Sequence, residues 1–331
     1  MKKTLSRVTG GYSGESVISY KSADTIAANL DPTRWEYYLI DIHPDGWFYR
    51  SAGGESVAID KNDFSLPLPS GRVHFDAVLI GLHGTPGEDG KLQGYFDCLG
   101  IPYTSCDAAT SALTFNKRYT VAVAGMAGIP VASSVLLFRE QPYAVDQIVD
   151  QVTFPVFVKP NNGGSSIGMS KVDEPAGLQA AIDKAFKEDT QVLIESAIPG
   201  REFTIGVFRH AGNVMPLPIT EIISNNTFFD YEAKYHGASR EVTPADIPEE
   251  MAEQIRTTAK QVYTVFNCRG VVRIDFIYHP TEKRPYMLEI NTVPGQSAAS
   301  IVPQQVQAMG WTLQAFYSAL LDSCLAQTPP A

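Results

Sequence analysis

VVRIDFIYHPTEKRPYMLEINTVPG, Val271 to Gly295, holds two apolar runs joined by a polar segment with Pro280 and Pro285. That is the pattern of a hairpin with a longer connection. Strand side chains alternate between faces. In the first run Val271, Arg273, Asp275 and Ile277 share one face, and Val272, Ile274, Phe276 and Tyr278 share the other. In the second run Met287, Glu289 and Asn291 fall on one face. A connection symmetric about Glu282 sets Asp275 opposite Glu289 and Arg273 opposite Asn291. Two carboxylates and an amide oxygen then crowd one patch of an otherwise apolar sheet. Adjacent buried carboxylates are costly unless a cation joins them. An all-oxygen set suits a hard ion, Mg²⁺ or Mn²⁺, which commonly also takes substrate phosphates as ligands. The competing reading is a solvated hairpin with its charges in water, and the apolar flanks speak against it. Beyond the hairpin, Thr292-Val293-Pro294-Gly295 reads as a tight turn that can bring a backbone N–H close to a ligand.

The bulk properties bound the rest. A chain of 331 residues suggests two or three domains. It is 44% hydrophobic and 19% charged, ordinary for a folded protein. A net charge of −10 argues against nucleic acid as the default partner and for a cytoplasmic protein. No apolar run approaches the length of a membrane span, and the opening MKKTLSRVTGG lacks the apolar core of a signal peptide. Cys98, Cys106, Cys268 and Cys324 have neither CxxC nor zinc spacing, so reduced, mostly buried thiols are the simplest account.

From the N-terminus, a weak strand at Leu5–Thr9, the turn GGYSGES and a helix over Ser16–Leu30 open an α/β domain. The turn matches neither GxGxxG nor the P-loop. It presents Glu15 at a helix N-terminus, either as a plain helix-start acid or as a group that attracts an ammonium. Trp35–Ile42 reads as a strand, and Phe75–Leu82 as a strand buried on both faces. The second ends in HGTPGEDG, residues 83 to 90, so His83 stands where open α/β sheets bind ligands, though a structural role is the commoner fate of a lone His. A helix begins at Gln93. The spacing predicts one helix over Asp107–Ala124, with Lys117 inside it. FPVFVKPNNGGSSIG, residues 154 to 168, is a strand ending in Lys159 and a Gly/Ser loop. Such a loop either cradles phosphate with backbone N–H groups and the lysine, or is a flexible hairpin connection. Next come a helix over Pro175–Glu188, a strand over Gln191–Ile198 with Glu195, and strands over Glu202–Phe208 and Val214–Ile219. Residues 225 to 240, NNTFFDYEAKYHGASR, have the composition of a functional loop or lid. A helix over Ile247–Phe266, with Pro248 in its first turn, leads into the hairpin. Pro303–Leu325 is a helix or a pair broken at Gly310.

HGTPGEDG, KPNNGGSSIGMSKV, VLIESAIPGREFT, FFDYEAKY, RIDF and LEINTVPG, in this order, resemble the D-alanine–D-alanine ligases of the ATP-grasp superfamily. The resemblance runs from GGYSGES to IVPQQV, nearly the whole chain. It implies an α/β N-terminal parallel-sheet domain (residues 1–105) followed by two ATP-grasp α+β domains, 106–199 and 200–331, the last carrying the lid at 225–240. It implies an ADP-forming ligase of the cytoplasm that phosphorylates one D-alanine and joins it to a second for peptidoglycan synthesis, and a homodimer. Asp275, Glu289 and Asn291 match ligands of two Mg²⁺ or Mn²⁺ ions, with Glu289 bridging. Lys117, Lys159 and Ser166 match ATP phosphate contacts. Glu195, Ala197, Ile198 and Glu202 match adenine and ribose contacts, and Phe228 and Lys234 belong to the lid side of the nucleotide. Glu15 matches the holder of the first D-alanine's ammonium, with Ser165 and Tyr235 tying it to the loop and lid. Arg273 and the Gly295 N–H match an oxyanion site. Ser300 and Ile301 match the seat of the second carboxylate, with His83 nearby.

The chain departs from the family pattern at Val17, where a second acid is common, in the polar first strand, and at Ser196, where Lys is frequent. D-Ala–D-Ser and D-Ala–D-lactate ligases share the fold; EAKY, with Tyr235, resembles the dipeptide-forming members. A catalytically dead nucleotide-binding module is the reading from another class, and the intact set of Glu15, Lys159, Arg273, Asp275, Glu289 and Asn291 argues against it.

Overall fold

The computed structural model describes residues 2–51, 53–164, 167–224 and 239–326. In the first sheet β1 (Lys3–Gly10) pairs in parallel with β2 (Trp35–His43) and with β7 (Ala77–Ile80). β3 (Gly46–Arg50) and β4 (Ser56–Ala58) extend it in antiparallel fashion, to the order β4-β3-β2-β1-β7. β5 (Leu66–Leu68) and β6 (Gly71–Val73) form a separate small hairpin. None of β3 to β6 is expected from the sequence; they are three to five residues long and too short to display a period. Helices α1 (Ser16–Ala28) and α2 (Lys91–Leu99) complete this unit. The polar first strand is buried: Arg7 is 5% exposed, donates to the Ala23 carbonyl at 2.7 Å and lies over the Tyr37 ring.

The single helix expected over Asp107–Ala124 is two, α3 (Ala108–Phe115) and α4 (Lys117–Met126). Asn116 takes an extended conformation between them, and its side chain caps α4 by accepting from the Tyr119 N–H at 3.0 Å. The backbone N–H of Lys117 donates to the Asn161 carbonyl at 3.0 Å. The break therefore docks the start of α4 on the end of a strand about 45 residues away in sequence, a partner that local periodicity does not reveal.

The second sheet is antiparallel, in the order β10-β9-β11-β8: β8 (Ser134–Phe138), β9 (Val156–Pro160), β10 (Ser170–Val172) and β11 (Gln191–Ser196). α5 (Val145–Val149) and α6 (Leu178–Ala185) pack against it; Leu178 and Ile182 are fully buried. Pro175–Gly177 form a 3₁₀ turn ahead of α6.

The third sheet is antiparallel and carries the hairpin. Its order is β15-β14-β12-β16-β17, with β13 also paired to β12. The strands are β12 (Arg201–His210), β13 (Asn213–Pro216), β14 (Thr220–Ser224), β15 (Ser239–Val242), β16 (Val271–His279) and β17 (Arg284–Asn291). The expected strand at Val214–Ile219 is thus divided between β13 and the approach to β14. The lid segment lies outside the described residues up to 238, and its last two positions, 239 and 240, open β15. α7 (Glu249–Val265) starts after Pro248 with Glu249 and Glu250 in its first turn, where the helix dipole favours acids. Its stripe of Ala252, Ile255, Ala259, Val262 and Tyr263 is buried on the sheet beside Phe276 and Met287. Full burial of each of the larger side chains stabilises the fold by about 2 kcal/mol. α8 (Ile301–Ala308) and α9 (Leu313–Ala326) turn at Gly310 and share a core with Leu5, Ile26 and Leu79 of the first unit. All four cysteines are free; Cys98 is exposed and the others are buried. Among the described residues no helix is long and apolar enough to cross a membrane.

Candidate active site

The hairpin holds the expected register: Arg273 faces Asn291 and Asp275 faces Glu289. One expectation fails. A bulge next to Asp275 pairs Phe276 with Met287 and leaves Leu288 unpaired. Met287 therefore points into the core, fully buried, and does not share a face with Glu289. Leu288 instead joins Glu289 in the cavity wall. The apolar core claims Met287, and the extra residue pivots the strand.

Asp275 is held from two sides. Arg273 donates to both its oxygens, from Nε at 3.0 Å and from Nη2 at 2.9 Å, and Thr204 Oγ1 donates to Oδ1 at 2.5 Å. Arg273 Nη2 also lies 3.9 Å from Glu289 Oε1. Burial alone would weaken the guanidinium's hold on its proton, but Asp275, Glu289 and Glu88 outweigh it and push its pKa up. Asn291 Oδ1 accepts from the Val293 N–H at 3.1 Å. Asp275, Glu289 and Asn291 thus offer oxygen donors only, which fits a hard divalent ion. Among the described residues no three His, Cys, Asp or Glu side chains gather into a metal site. An ion here would rest on two carboxylates, one amide oxygen and oxygens brought by a substrate.

Two cavities meet at this point. One, of about 380 Å³, is lined by Glu15, His83, Arg273, Gly295, Ser300 and Ile301 among others. The other, of about 810 Å³, is lined by Lys159, Glu195, Ser196, Ala197 and Ile198. Lys117, Gly163, Gly164, Glu202, Ile222, Asp275, Leu288 and Glu289 border both.

In the smaller cavity Glu15 begins α1 but does not cap it. Its carboxylate is wedged between two loops. A Cβ on Gly84, whose φ is +70°, would stand 2.5 Å from Oε2, and one on Gly164 would stand 2.6 Å from Oε1, so both loops pack directly against the carboxylate. His83 is 5% exposed, with Nε2 2.9 Å from Ser22 Oγ and Nδ1 2.8 Å from the Val293 carbonyl. A carbonyl can only accept, so Nδ1 carries the proton. Nε2 then accepts from Ser22, whose oxygen accepts from the Gln296 N–H at 3.0 Å. His83 thereby ties the first sheet to the turn after the hairpin; it lines the cavity and is also structural. Ser300 precedes α8, and its hydroxyl pairs with Ser297 Oγ at 2.8 Å directly over Gly295, where a Cβ would come within 2.7 Å.

In the larger cavity Lys159 Nζ bonds Glu195 Oε2 at 2.6 Å. Glu195 is 3% exposed, and its Oε1 has no hydrogen-bond partner among the described residues. Lys117 Nζ donates to the Gly163 carbonyl at 2.6 Å, carried there by the break at Asn116. Ser196 accounts for its departure: its hydroxyl bonds Ser133 Oγ and accepts from the Thr153 N–H, both at 2.8 Å. Ser165, Ser166, Phe228, Lys234 and Tyr235 lie outside the described residues.

A family model described as the D-ala D-ala ligase C-terminus matches residues 123–322, and one described as the D-ala D-ala ligase N-terminus matches residues 6–106. The chain belongs to the D-alanine–D-alanine ligase family. It is 44% identical over 310 residues to the D-alanine–D-alanine ligase of Parabacteroides distasonis, covering 94% of each chain. Among solved structures, the VanG D-Ala:D-Ser ligase of Enterococcus faecalis superposes with a TM-score of 0.87 at 29% identity, over 97% of this chain and 99% of that one. A D-alanine–D-alanine ligase of Bacillus anthracis complexed with ATP superposes with a TM-score of 0.79 at 25% identity, over 98% of both.

Three side chains of this ligase's site escape a reading by sequence. Thr204, which holds Asp275, was within reach: it lies two residues after Glu202, on the same strand face, opposite Asp275 in register. Glu88 stands 3.8 Å from His83 inside the quoted HGTPGEDG segment. Glu241, in β15, had no signal. It lines the smaller cavity, accepts from Gln304 Nε2 at 3.1 Å, and burial pushes its carboxyl pKa up.

Proposed function

We infer that the chain joins two D-alanine molecules into D-alanyl-D-alanine, converting ATP to ADP and phosphate, for peptidoglycan precursor synthesis. The observation that carries this reading is the junction: a nucleotide-sized cavity that holds Lys117 and Lys159 and a smaller substrate cavity share Asp275 and Glu289 as a wall. ATP fits the larger cavity, with Lys159 and Lys117 on its phosphates and Glu195, Ala197, Ile198 and Glu202 along its adenine and ribose. The first D-alanine fits between Glu15, which holds its ammonium, and Arg273 with the Gly295 N–H, which face its carboxylate. The second fits with its carboxylate at Ser300 and Ile301. Asp275, Glu289 and Asn291 would hold two Mg²⁺ or Mn²⁺ ions, whose chemistry is to neutralise phosphate charge during transfer.

A carboxylate is a poor acylating agent because oxide would have to leave. An oxygen of the first D-alanine's carboxylate attacks the γ-phosphorus and ADP departs. The amine of the second D-alanine then attacks the acyl carbon; phosphate leaves and the nitrogen loses a proton. Arg273, fixed on Asp275, stands ready for the oxyanion that develops on that carbon, without reorganising as it forms. His83, protonated on Nδ1, orients the turn that carries Gly295. Ser165, Ser166, Phe228, Lys234 and Tyr235 complete the site on family resemblance. We place the ligase in the cytoplasm as a homodimer, with three units at 1–105, 106–199 and 200–331 and the lid at 225–240.

The test is phosphate release from Mg-ATP with D-alanine or L-alanine, with products identified by mass. D-alanine-dependent release with D-alanyl-D-alanine formed is the expected outcome. ATP binding without turnover on any D-amino acid would refute the reading. The likeness to the D-Ala:D-Ser ligase of Enterococcus faecalis supports D-serine as the second acceptor in the alternative reading, which also includes D-lactate. A mixed product at neutral pH in competition with D-alanine would establish it.

A further inference from the structure

Gln305 is fully buried in the middle of α8, and its amide fills a gap in the third sheet. On its outer edge β12 pairs with β14 up to Thr204 and with β13 from Val207. Between those partners Gln305 acts as a strand would. Its Oε1 accepts from the Gly206 N–H at 2.9 Å, and its Nε2 donates to the Thr204 carbonyl and to Thr220 Oγ1, each at 3.0 Å. The fit leaves no slack. A Cβ on Gly206 would stand 2.9 Å from Gln305 Oε1 and 2.6 Å from Leu217 Cδ1.

Both ends of this contact lead into the site. Thr204 holds Asp275 through its hydroxyl at 2.5 Å, and Asp275 holds Arg273. The helix that carries Gln305 begins at Ser300 and Ile301. An apolar side chain of equal size would fill the same space, but it would fix neither the slide nor the rotation of α8 on β12. An amide bonded to both an N–H and a C=O of one strand fixes both. The adjacent Gln304 differs: it is partly exposed and bonds Ala299 and Glu241.

We propose that Gln305 is a positioning residue that sets the distance between the seat of the acceptor's carboxylate, at Ser300 and Ile301, and the Arg273–Asp275 pair. This rests on the ligase reading. The acceptor amine must meet the activated carbon in line, and a misplacement of about 1 Å costs on the order of a hundredfold in rate. Losing the Gln305 bonds moves the acceptor seat, because the other end of the contact, Asp275, stays clamped by Arg273 and the Thr204 hydroxyl.

The test is steady-state kinetics of Gln305→Met and Gln305→Asn. The donor and acceptor KM values are separated by the response to low and high D-alanine. Methionine keeps the volume and removes the bonds; it is expected to raise the acceptor KM at least about tenfold and lower kcat, with the ATP and donor KM values within about twofold of the parent. Asparagine keeps the amide on a shorter stem and is expected to raise the acceptor KM about threefold to fivefold near the parent Tm, so it carries the test if the methionine variant does not fold. Variants that lose only Tm, with all KM and kcat values unchanged per folded enzyme, would overturn the positioning role. So would an ATP KM that rises in parallel with the acceptor KM. Parent enzyme that makes no D-alanyl-D-alanine would instead overturn the ligase reading, and that result is read first.

Discussion

The two cavities hold their charges differently. On the substrate side Arg273 is clamped: two bonds to Asp275, a third bond from Thr204 to the same carboxylate, and Glu289 3.9 Å away. On the nucleotide side the lysine amines are parked on protein oxygen, Lys159 on Glu195 and Lys117 on the Gly163 carbonyl. A clamped cation is already placed for charge that develops in a transition state. A parked one must exchange its partner for a ligand. The difference teaches where each should appear in kinetics: Arg273 in kcat, the lysines in the affinity for ATP.

Arg273→Met is the severest way to break this contrast. It should lower kcat about 10²- to 10³-fold, the usual cost of losing one fixed oxyanion donor, with the ATP KM nearly unchanged. A loss confined to KM would show that the clamp only binds substrate. Next in size, Glu289→Gln should lower turnover at least about tenfold with an unaltered circular dichroism spectrum; near-normal turnover would end the metal assignment. Lys159→Met should raise the ATP KM about tenfold and lower the Tm, because Glu195 stays buried and loses its cation. A kcat loss as large as that of Arg273→Met would erase the distinction between the cavities.

The smallest effect concerns Glu241, whose carboxyl is pushed above the usual range by burial. A raised carboxyl pKa makes the folded state hold its proton longer than the unfolded chain does. The associated stability is present below the ordinary pKa of 4.5 and is lost as pH rises through the folded value. Glu241→Gln should therefore raise Tm at pH 7.5 by about 1–2 °C, with the gain vanishing as pH falls toward the ordinary value. A Tm gain that is constant with pH would point to packing rather than charge.

Much of this was legible in the sequence, and the failures share a cause. The pairing of Asp275 with Glu289 is the one counted from Glu282, but the connection itself is centred between Thr281 and Glu282, where His279 faces Arg284, and the bulge at Leu288 restores the count. The bulge at Leu288 depends on Phe276 and Met287 meeting α7, a contact between distant elements that alternation ignores. The break at Asn116 needs Asn161, and the bond to Asp275 needs a strand 71 residues earlier. β3 to β6 stayed unread because short strands show no period. Glu15 was legible as a cation-seeking acid, but its wedge between Gly84 and Gly164 joins loops after two different sheets. Phe276→Ala, which removes the partner of Met287, should cost about 3–5 kcal/mol of stability and measures how much the core enforces the bulge.

The most direct test of the central claim, phosphoryl transfer to a substrate carboxylate at the shared wall, follows an oxygen atom. D-alanine labelled with ¹⁸O in its carboxylate is turned over with unlabelled ATP, and the phosphate released is weighed. Passage through an acyl phosphate predicts one ¹⁸O atom in each phosphate formed together with dipeptide. Unlabelled phosphate, at any rate of ATP consumption, would mean that water and not D-alanine receives the phosphoryl group, and would contradict the account.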